Sequence, residues 1–306
     1  YDLLTVDSKG YDEKQLFIDA LHWVHDHCVS GSGESGNFYG TEEEWTFHQS
    51  LVYYLTTSSH AHGQSKFLPW HRQYLKELED KLQLFHQCVT IPYWDWTKDV
   101  EDPDNAHIFD SNYFGHIDGQ QQNSGNTGPT SDKSVPHLGQ FENSNDSADP
   151  KNKHYYNVPS GTDHPQWSGQ VLDRNGGSSS NFADEAAVTN LLAVSSYSSF
   201  RSMNEGGPHV PPHTRIGGEM GNYRSPGDPI FWMHHAFVDK IWYDWQYQNN
   251  ADNLNAYDSA VTANLSPQWD QQVQNMFDRK NEVKVCYQDE TDFALGELPI
   301  TKRDVW

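Results

Sequence analysis

Phe67-Leu68-Pro69-Trp70-His71-Arg72-Gln73-Tyr74-Leu75 is the stretch from which the fold can be read. Proline fixes its own φ and lacks an N–H, so Pro69 suits the first turn of a helix, where that donor would have no partner anyway. Beyond it Leu75, Leu78, Leu82 and Phe85 form one apolar stripe at helical spacing. The pattern predicts a helix beginning at Pro69, with His71 near its start. Eight residues separate His71 from His62, enough for a loop histidine to meet a helix histidine.

Working outward, Tyr11 to Cys28 carries Leu16, Ala20, Trp23 and Val24 at helical spacing, with Ser8 available to begin the turn. Further helices are predicted over Glu43 to Leu55, Ala183 to Tyr197 and Phe231 to Tyr247, the last with Val238, Trp242 and Trp245 on one stripe. Ile91-Pro92-Tyr93-Trp94-Asp95-Trp96 is short and Pro-interrupted, so it reads as an extended wall that packs aromatic area. From about Gly115 to Ser180 the chain turns to Gly, Ser, Asn, Asp, Gln and Pro, which describes a polar loop insertion rather than a second core. The expectation is a single domain over 1–306, mainly α, with an antiparallel four-helix bundle core, long irregular loops and few short strands.

The 306 residues, 35% hydrophobic and 13% aromatic, suffice for a sizeable core. With 43 acidic against 20 basic residues the net charge of −23 repels phosphate backbones and anionic membranes, so no nucleic-acid or membrane partner is expected. No apolar run is long enough for a membrane span, and the chain begins at Tyr1, so neither span nor signal peptide is expected within it. Cys28, Cys88 and Cys286 permit at most one disulfide and match no close-spaced metal motif.

Seventeen histidines are the unusual entry in the composition, and they are grouped. One group is His48, His62 and His71. The other is His209 and His213, four residues apart and able to share a helical face, with His234-His235 on the Phe231 helix. Imidazole suits copper, zinc, iron and nickel, but the lack of ligand-like cysteines or a His-Glu-x-x-His pattern argues against the common zinc sites. Two all-imidazole clusters point towards copper. His22, His25 and His27 read instead as an exposed helix face.

At these residues a family comes into view. Phe67 to Leu75 and Asp228-Pro229-Ile230-Phe231-Trp232-Met233-His234-His235 resemble the two copper signatures of tyrosinases, and the resemblance takes in Pro92 to Trp96, Gly217-Gly218-Glu219-Met220 and Asp239-Lys240-Ile241-Trp242. It spans roughly residues 40 to 250. It implies a dinuclear type 3 copper site, with His48, His62 and His71 on one ion and His209, His213 and His235 on the other, and O2 as co-substrate. The choice of His235 over His234 rests on the resemblance alone. The implied activity is oxidation of a small phenolic or catecholic substrate to an ortho-quinone, feeding pigments such as melanin. A dioxygen carrier resembling a haemocyanin functional unit is the alternative.

Hydroxylation of a monophenol asks in addition for a base. Members resembling this chain often use a glutamate and an asparagine to orient a water; Glu205 looks like the glutamate, but Val210 stands where many carry asparagine. Valine offers no side-chain hydrogen bond, so catechol oxidation is expected to exceed monophenol hydroxylation, unless Asn204 substitutes. No cysteine lies near His62, so no thioether to it is expected. Arg72 and Asp239, each following a ligand on its helix, could form buried ion pairs that orient the imidazoles. Pro211, Pro212, Thr214, Arg215, Gly218, Met220 and Ser225 lie near enough to the second cluster to shape access.

Overall fold

Helix α2, Phe67–Phe85, begins where Pro69 allows it, and its stripe turns inward: Leu75, Leu78 and Leu82 are fully buried. Phe85, at its last turn, is 38% exposed, so the stripe ends one turn early. This computed structural model describes residues 13–26, 61–110, 112–117, 141, 172, 174–176, 178–222, 224–248, 257, 262–266, 269–277 and 287. Helix α1 is Glu13–Asp26, with Leu16, Ala20 and Val24 in the core. The helix expected over Glu43 to Leu55, together with His48, Ser8 and His27, lies outside the described residues, as do Cys28, Cys286 and most of the polar insertion.

The helix expected over Ala183 to Tyr197 ends early, at Leu192, and a second helix that was not expected begins at Tyr197. Helix α3 is Glu185–Leu192, capped by the Asp184 carboxylate on Ala187 N–H, and α4 is Tyr197–Gly206, capped by the Ser196 hydroxyl on Ser199 N–H. Serine offers the backbone a local hydrogen bond that competes with helix continuation, so Ser195-Ser196 restarts the chain rather than extending it. Short α5, Val210–Ile216, follows with Pro211 and Pro212 in its first turn, where missing donors cost nothing. Helix α6, Ile230–Gln248, lies close to its predicted span. Fifteen of its 19 residues are buried, so it is the central helix rather than an amphipathic surface one.

Helix α2 packs on α1, α4 and α6, and α3 packs on α4 and α6. The expected class holds: a helical core, irregular connections, and among the described residues one two-stranded antiparallel sheet, β1 Asn264–Ser266 with β2 Trp269–Gln272. Ile91 to Trp96 forms the predicted wall, and Trp94 N–H donates to the Met233 carbonyl in the first turn of α6. His22 is half-buried and stacked on Phe141 at 4.9 Å, correcting the expectation that it lies on an exposed face. No described helix is long and apolar enough to cross a membrane.

Two buried ion pairs fasten the core. Asp228 opens α6, its Oδ1 accepting from Ile230 N–H, and Arg174 grips it bidentately at 2.5 and 2.8 Å. The same guanidinium donates to the Phe114 carbonyl, tying the wall's continuation to the start of α6. Arg72 donates to Asp239 at 2.7 Å, to the Gln246 side chain and to the Met276 carbonyl, and lies 3.6 Å over the Trp242 ring. Tyr287 donates its hydroxyl to the other Asp239 oxygen at 2.6 Å. An ion pair this buried is worth little against an apolar replacement but costs dearly when half of it is removed.

Candidate metal centre

His71 sits in the first turn of α2, and its Nδ1 lies 2.8 Å from the Phe67 carbonyl, one turn back. His209 immediately precedes α5 and places Nδ1 3.0 Å from the Glu205 carbonyl. His213, one turn on, places Nδ1 2.8 Å from the Met220 carbonyl. That last contact depends on Gly217 and Gly218, whose φ values of 66° and 51° turn the chain back at the end of α5 in a conformation other residues resist. A carbonyl cannot donate, so each Nδ1 must carry the proton and each Nε2 the lone pair.

These lone pairs converge. Ligand atoms of His209, His213, His234 and His235 all lie within 4.8 Å of one another, and the His213 and His235 Nε2 atoms are 3.2 Å apart. His71 stacks on His235 at 4.3 Å with nearly parallel rings, and His62 approaches His71 at 5.2 Å and His209 at 6.1 Å. Every described histidine of the predicted set is therefore in one cluster. Both members of the His234-His235 pair face it: His234 is fully buried, 4.8 Å from the His213 ring. Its neighbourhood does not by itself choose between the two.

Burial pushes His71, His209, His234 and His235 well below the usual imidazole range, with neighbouring imidazoles adding to the effect. His213 is lowered to about 4, again chiefly by burial, against the upward pull of the Met220 carbonyl. His62 is lowered by burial and partly restored by Glu205. The cluster is thus neutral and electron-donating at neutral pH. The Nε2 atoms of His71 and His209 are buried with no hydrogen-bond partner, which would cost about 1–3 kcal/mol apiece if nothing else met them. Two lone pairs 3.2 Å apart suit a shared cation with bonds of about 2 Å. The donor set fits soft-to-borderline metal ions held by imidazole alone.

Glu205 divides its carboxylate: Oε1 accepts from Gly63 N–H at 2.6 Å and Oε2 from Arg201 at 2.8 Å. It thereby holds the bend that carries His62. Val210 is 38% exposed at the rim of a cavity of about 460 Å³ that opens onto His62, His209 and His213 and is bounded by Met220, Gly221, Asn222 and Ser225. Of the residues expected to shape access, Met220 and Ser225 line this cavity, while Pro211 faces a neighbouring groove with Val210. Arg72, next to His71 on α2, and Asp239, one turn past His235 on α6, meet each other directly. Sequence reasoning missed Gln246 on α6, and Met276 and Tyr287 beyond it, as their partners, since no pattern in the sequence marks them.

Residues 19–248 match the family model described as the common central domain of tyrosinase. The chain belongs to the tyrosinase family. A tyrosinase of Streptomyces antibioticus is 30% identical over 198 residues, 60% of this chain and 64% of that protein. Among solved structures, a functional unit of octopus hemocyanin superposes with a TM-score of 0.54 at 18% identity, covering 92% of this chain and 66% of the other. A Burkholderia thailandensis tyrosinase gives 0.53 at 17% identity, covering 92% and 71%. These two likenesses concern the fold. The chain thus spans just under two thirds of the Streptomyces relative and of the hemocyanin unit. The tyrosinase family uses a dinuclear copper site and O2, and the buried histidine cluster is consistent with it.

Proposed function

We propose that this protein is a copper-dependent oxidase that converts ortho-diphenols to ortho-quinones with O2, and hydroxylates monophenols more slowly. The observation that carries the reading is the cluster of buried imidazoles within a tyrosinase-family domain, four of them with ligand atoms within 4.8 Å of one another and His71 and His209 with unpartnered Nε2 atoms. His62 and His71, with His48, would hold one copper, and His209, His213 and His235 the other. Bound copper would supply the electron transfer between the phenol and dioxygen, which no side chain here can provide.

The chain's own residues prepare that chemistry. Carbonyls of Phe67, Glu205 and Met220 fix three imidazoles in the tautomer that presents Nε2. Burial keeps them neutral without a proton to displace. The cavity of about 460 Å³ has room for a single aromatic ring, and its mouth brings that ring's hydroxyls to the His62, His209 and His213 side.

The preference for diphenols rests on Val210 and Glu205. A carboxylate offers about four acceptor sites; Gly63 and Arg201 take two, one on each oxygen, which leaves fewer to hold a water. Val210, at the rim, contributes no second hydrogen bond to orient that water as a base. Oxygen uptake by the copper-loaded protein on a catechol and on its matching monophenol tests this. Fast catechol and slow monophenol turnover is expected, and Val210→Asn should raise the monophenol rate by about tenfold, a small part of what a positioned base supplies. Equal rates in the wild type would overturn the preference. Reversible oxygen binding without turnover would make the protein a carrier instead.

A further inference from the structure

Val210 is shared by two cavities. On one side it bounds the mouth over the histidines; on the other it bounds a groove of about 510 Å³ between α3, α4 and α5. Ala183, Ala187, Leu191, Met203 and Pro208 line that groove together with Val210. Among the described residues its only polar side chains are Asn181 and Asn190, and no charged group faces it. Five large apolar side chains are exposed in the described residues, and two of them, Met203 at 52% and Val210 at 38%, flank this one groove. Exposed apolar area collected in one concave place marks a binding surface rather than chance.

The local backbone keeps the groove open. A Cβ on Gly207 would come within 2.5 Å of the Met203 carbonyl, so the turn between α4 and α5 passes too close to α4 for a side chain there. A Cβ on Gly206 would meet nothing within 4 Å, so space that an ordinary side chain would fill is left empty.

We infer that this groove is a substrate subsite, taking an apolar arm carried by the phenol whose ring lies at the histidines. The inference rests on the proposed oxidase reading and adds a substrate class to it: phenols or catechols with an uncharged alkyl or aryl substituent opposite the reacting oxygens. Continuity is the argument for this occupant. A ring entering past Val210 directs any substituent that leaves the mouth on the α5 side over the valine and onto Ala187, Leu191 and Met203. Anionic arms are disfavoured, because the groove offers no cation and the chain as a whole is acidic.

The test is a series of 4-alkylcatechols, from unsubstituted catechol to 4-butylcatechol, with KM and kcat measured separately on the copper-loaded protein. A methylene buried fully is worth about fourfold in affinity, and a half-open groove about twofold. KM should therefore fall by roughly tenfold from catechol to 4-butylcatechol with kcat nearly flat. Ala187→Phe, which fills the groove from α3, and Met203→Glu, which puts a charge at its exposed edge, should each reduce that tenfold ratio to about twofold or less. Both positions are solvent-facing, so at least one variant should fold. A flat KM series in an active wild type would overturn the inference, as would a steep series that neither variant changes. Failure of catechol itself to turn over would instead overturn the oxidase reading.

Discussion

His209 and His213 are held by carbonyls four and seven residues away, at Glu205 and Met220, whereas the bend that carries His62 is held from the far side of the sequence. Gly63 N–H goes to Glu205, the Ser65 carbonyl accepts from Tyr197, and Lys66 donates to the Asn264 carbonyl, partners 142, 132 and 198 residues distant. His209, His213 and, through the Phe67 carbonyl, His71 are organised by nearby chain; the bend that carries His62 borrows its geometry from α4 and β1. The difference teaches that the two proposed copper positions are not equivalent in robustness. Loss of the Glu205 side chain should reach His62 first, even though Glu205 lies close to His209 in sequence and meets it through its carbonyl.

Removing a locally organised imidazole should have the largest effect. His213→Ala is expected to lower bound copper from two ions per chain to one and to cut catechol oxidation more than ~100-fold, beyond the 10–100-fold typical of residues that only support a ligand. Metal analysis alongside oxygen uptake checks it, and two retained coppers would break the assignment. Next comes the buried ion pair. Arg72→Ala leaves Asp239 charged at 2% exposure and should destabilise the fold by about 3–5 kcal/mol, read by denaturant unfolding. A loss under ~1 kcal/mol would mean that the pair does not hold α2 to α6.

The comparison itself is sharpened by Glu205→Ala, which strands Gly63 N–H and Arg201 while leaving the Glu205 carbonyl on His209 in place. Copper titration should then show one of two affinities weakened by roughly tenfold and the other unchanged. Equal weakening of both would show that the halves are coupled rather than separately held. Acidification gives the smallest and most graded effect. Folded-state imidazoles here titrate below the unfolded value of 6.5, with His213 at about 4, so in that window the unfolded chain binds more protons than the folded one. Stability of the metal-free protein should be level above pH 6.5 and decline as pH falls from 6.5 towards 4. Copper uptake should change little between pH 8 and pH 7, since there is no proton to displace. A stability maximum below pH 5 would contradict the neutral cluster.

Much of this was legible in sequence, for reasons that can be located. Pro69 and the leucines after it announced α2, and the apolar, aromatic stripe of Phe231 to Tyr247 announced α6, because both signals are local. The candidate histidines could be read locally, His71 and the His234-His235 pair from short characteristic strings and His209 and His213 from their four-residue spacing, although the cluster holds both His234 and His235. The early end of α3 and the start of α4 were missed because the Ser196 cap that starts α4 is a matter of local geometry rather than of apolar spacing. Met276 and Tyr287 were invisible because a carbonyl and a hydroxyl that meet Arg72 and Asp239 leave no spacing to read. Val210 was noticed for what it lacks, while the groove behind it depends on how α3 and α4 meet, which no stretch of chain records.

The fastening of Arg72 and Asp239 by Met276 and Tyr287 also sets an order in time. Asp239 and Tyr287 are 48 residues apart, and a ribosome adding about 5–20 residues per second needs some seconds to make that stretch. Every histidine of the cluster has been synthesised before then, while the Arg72–Asp239 pair still lacks a carbonyl and a hydroxyl. A chain on the ribosome therefore owns a complete set of imidazoles before the ion pair that joins α2 to α6 has all its partners.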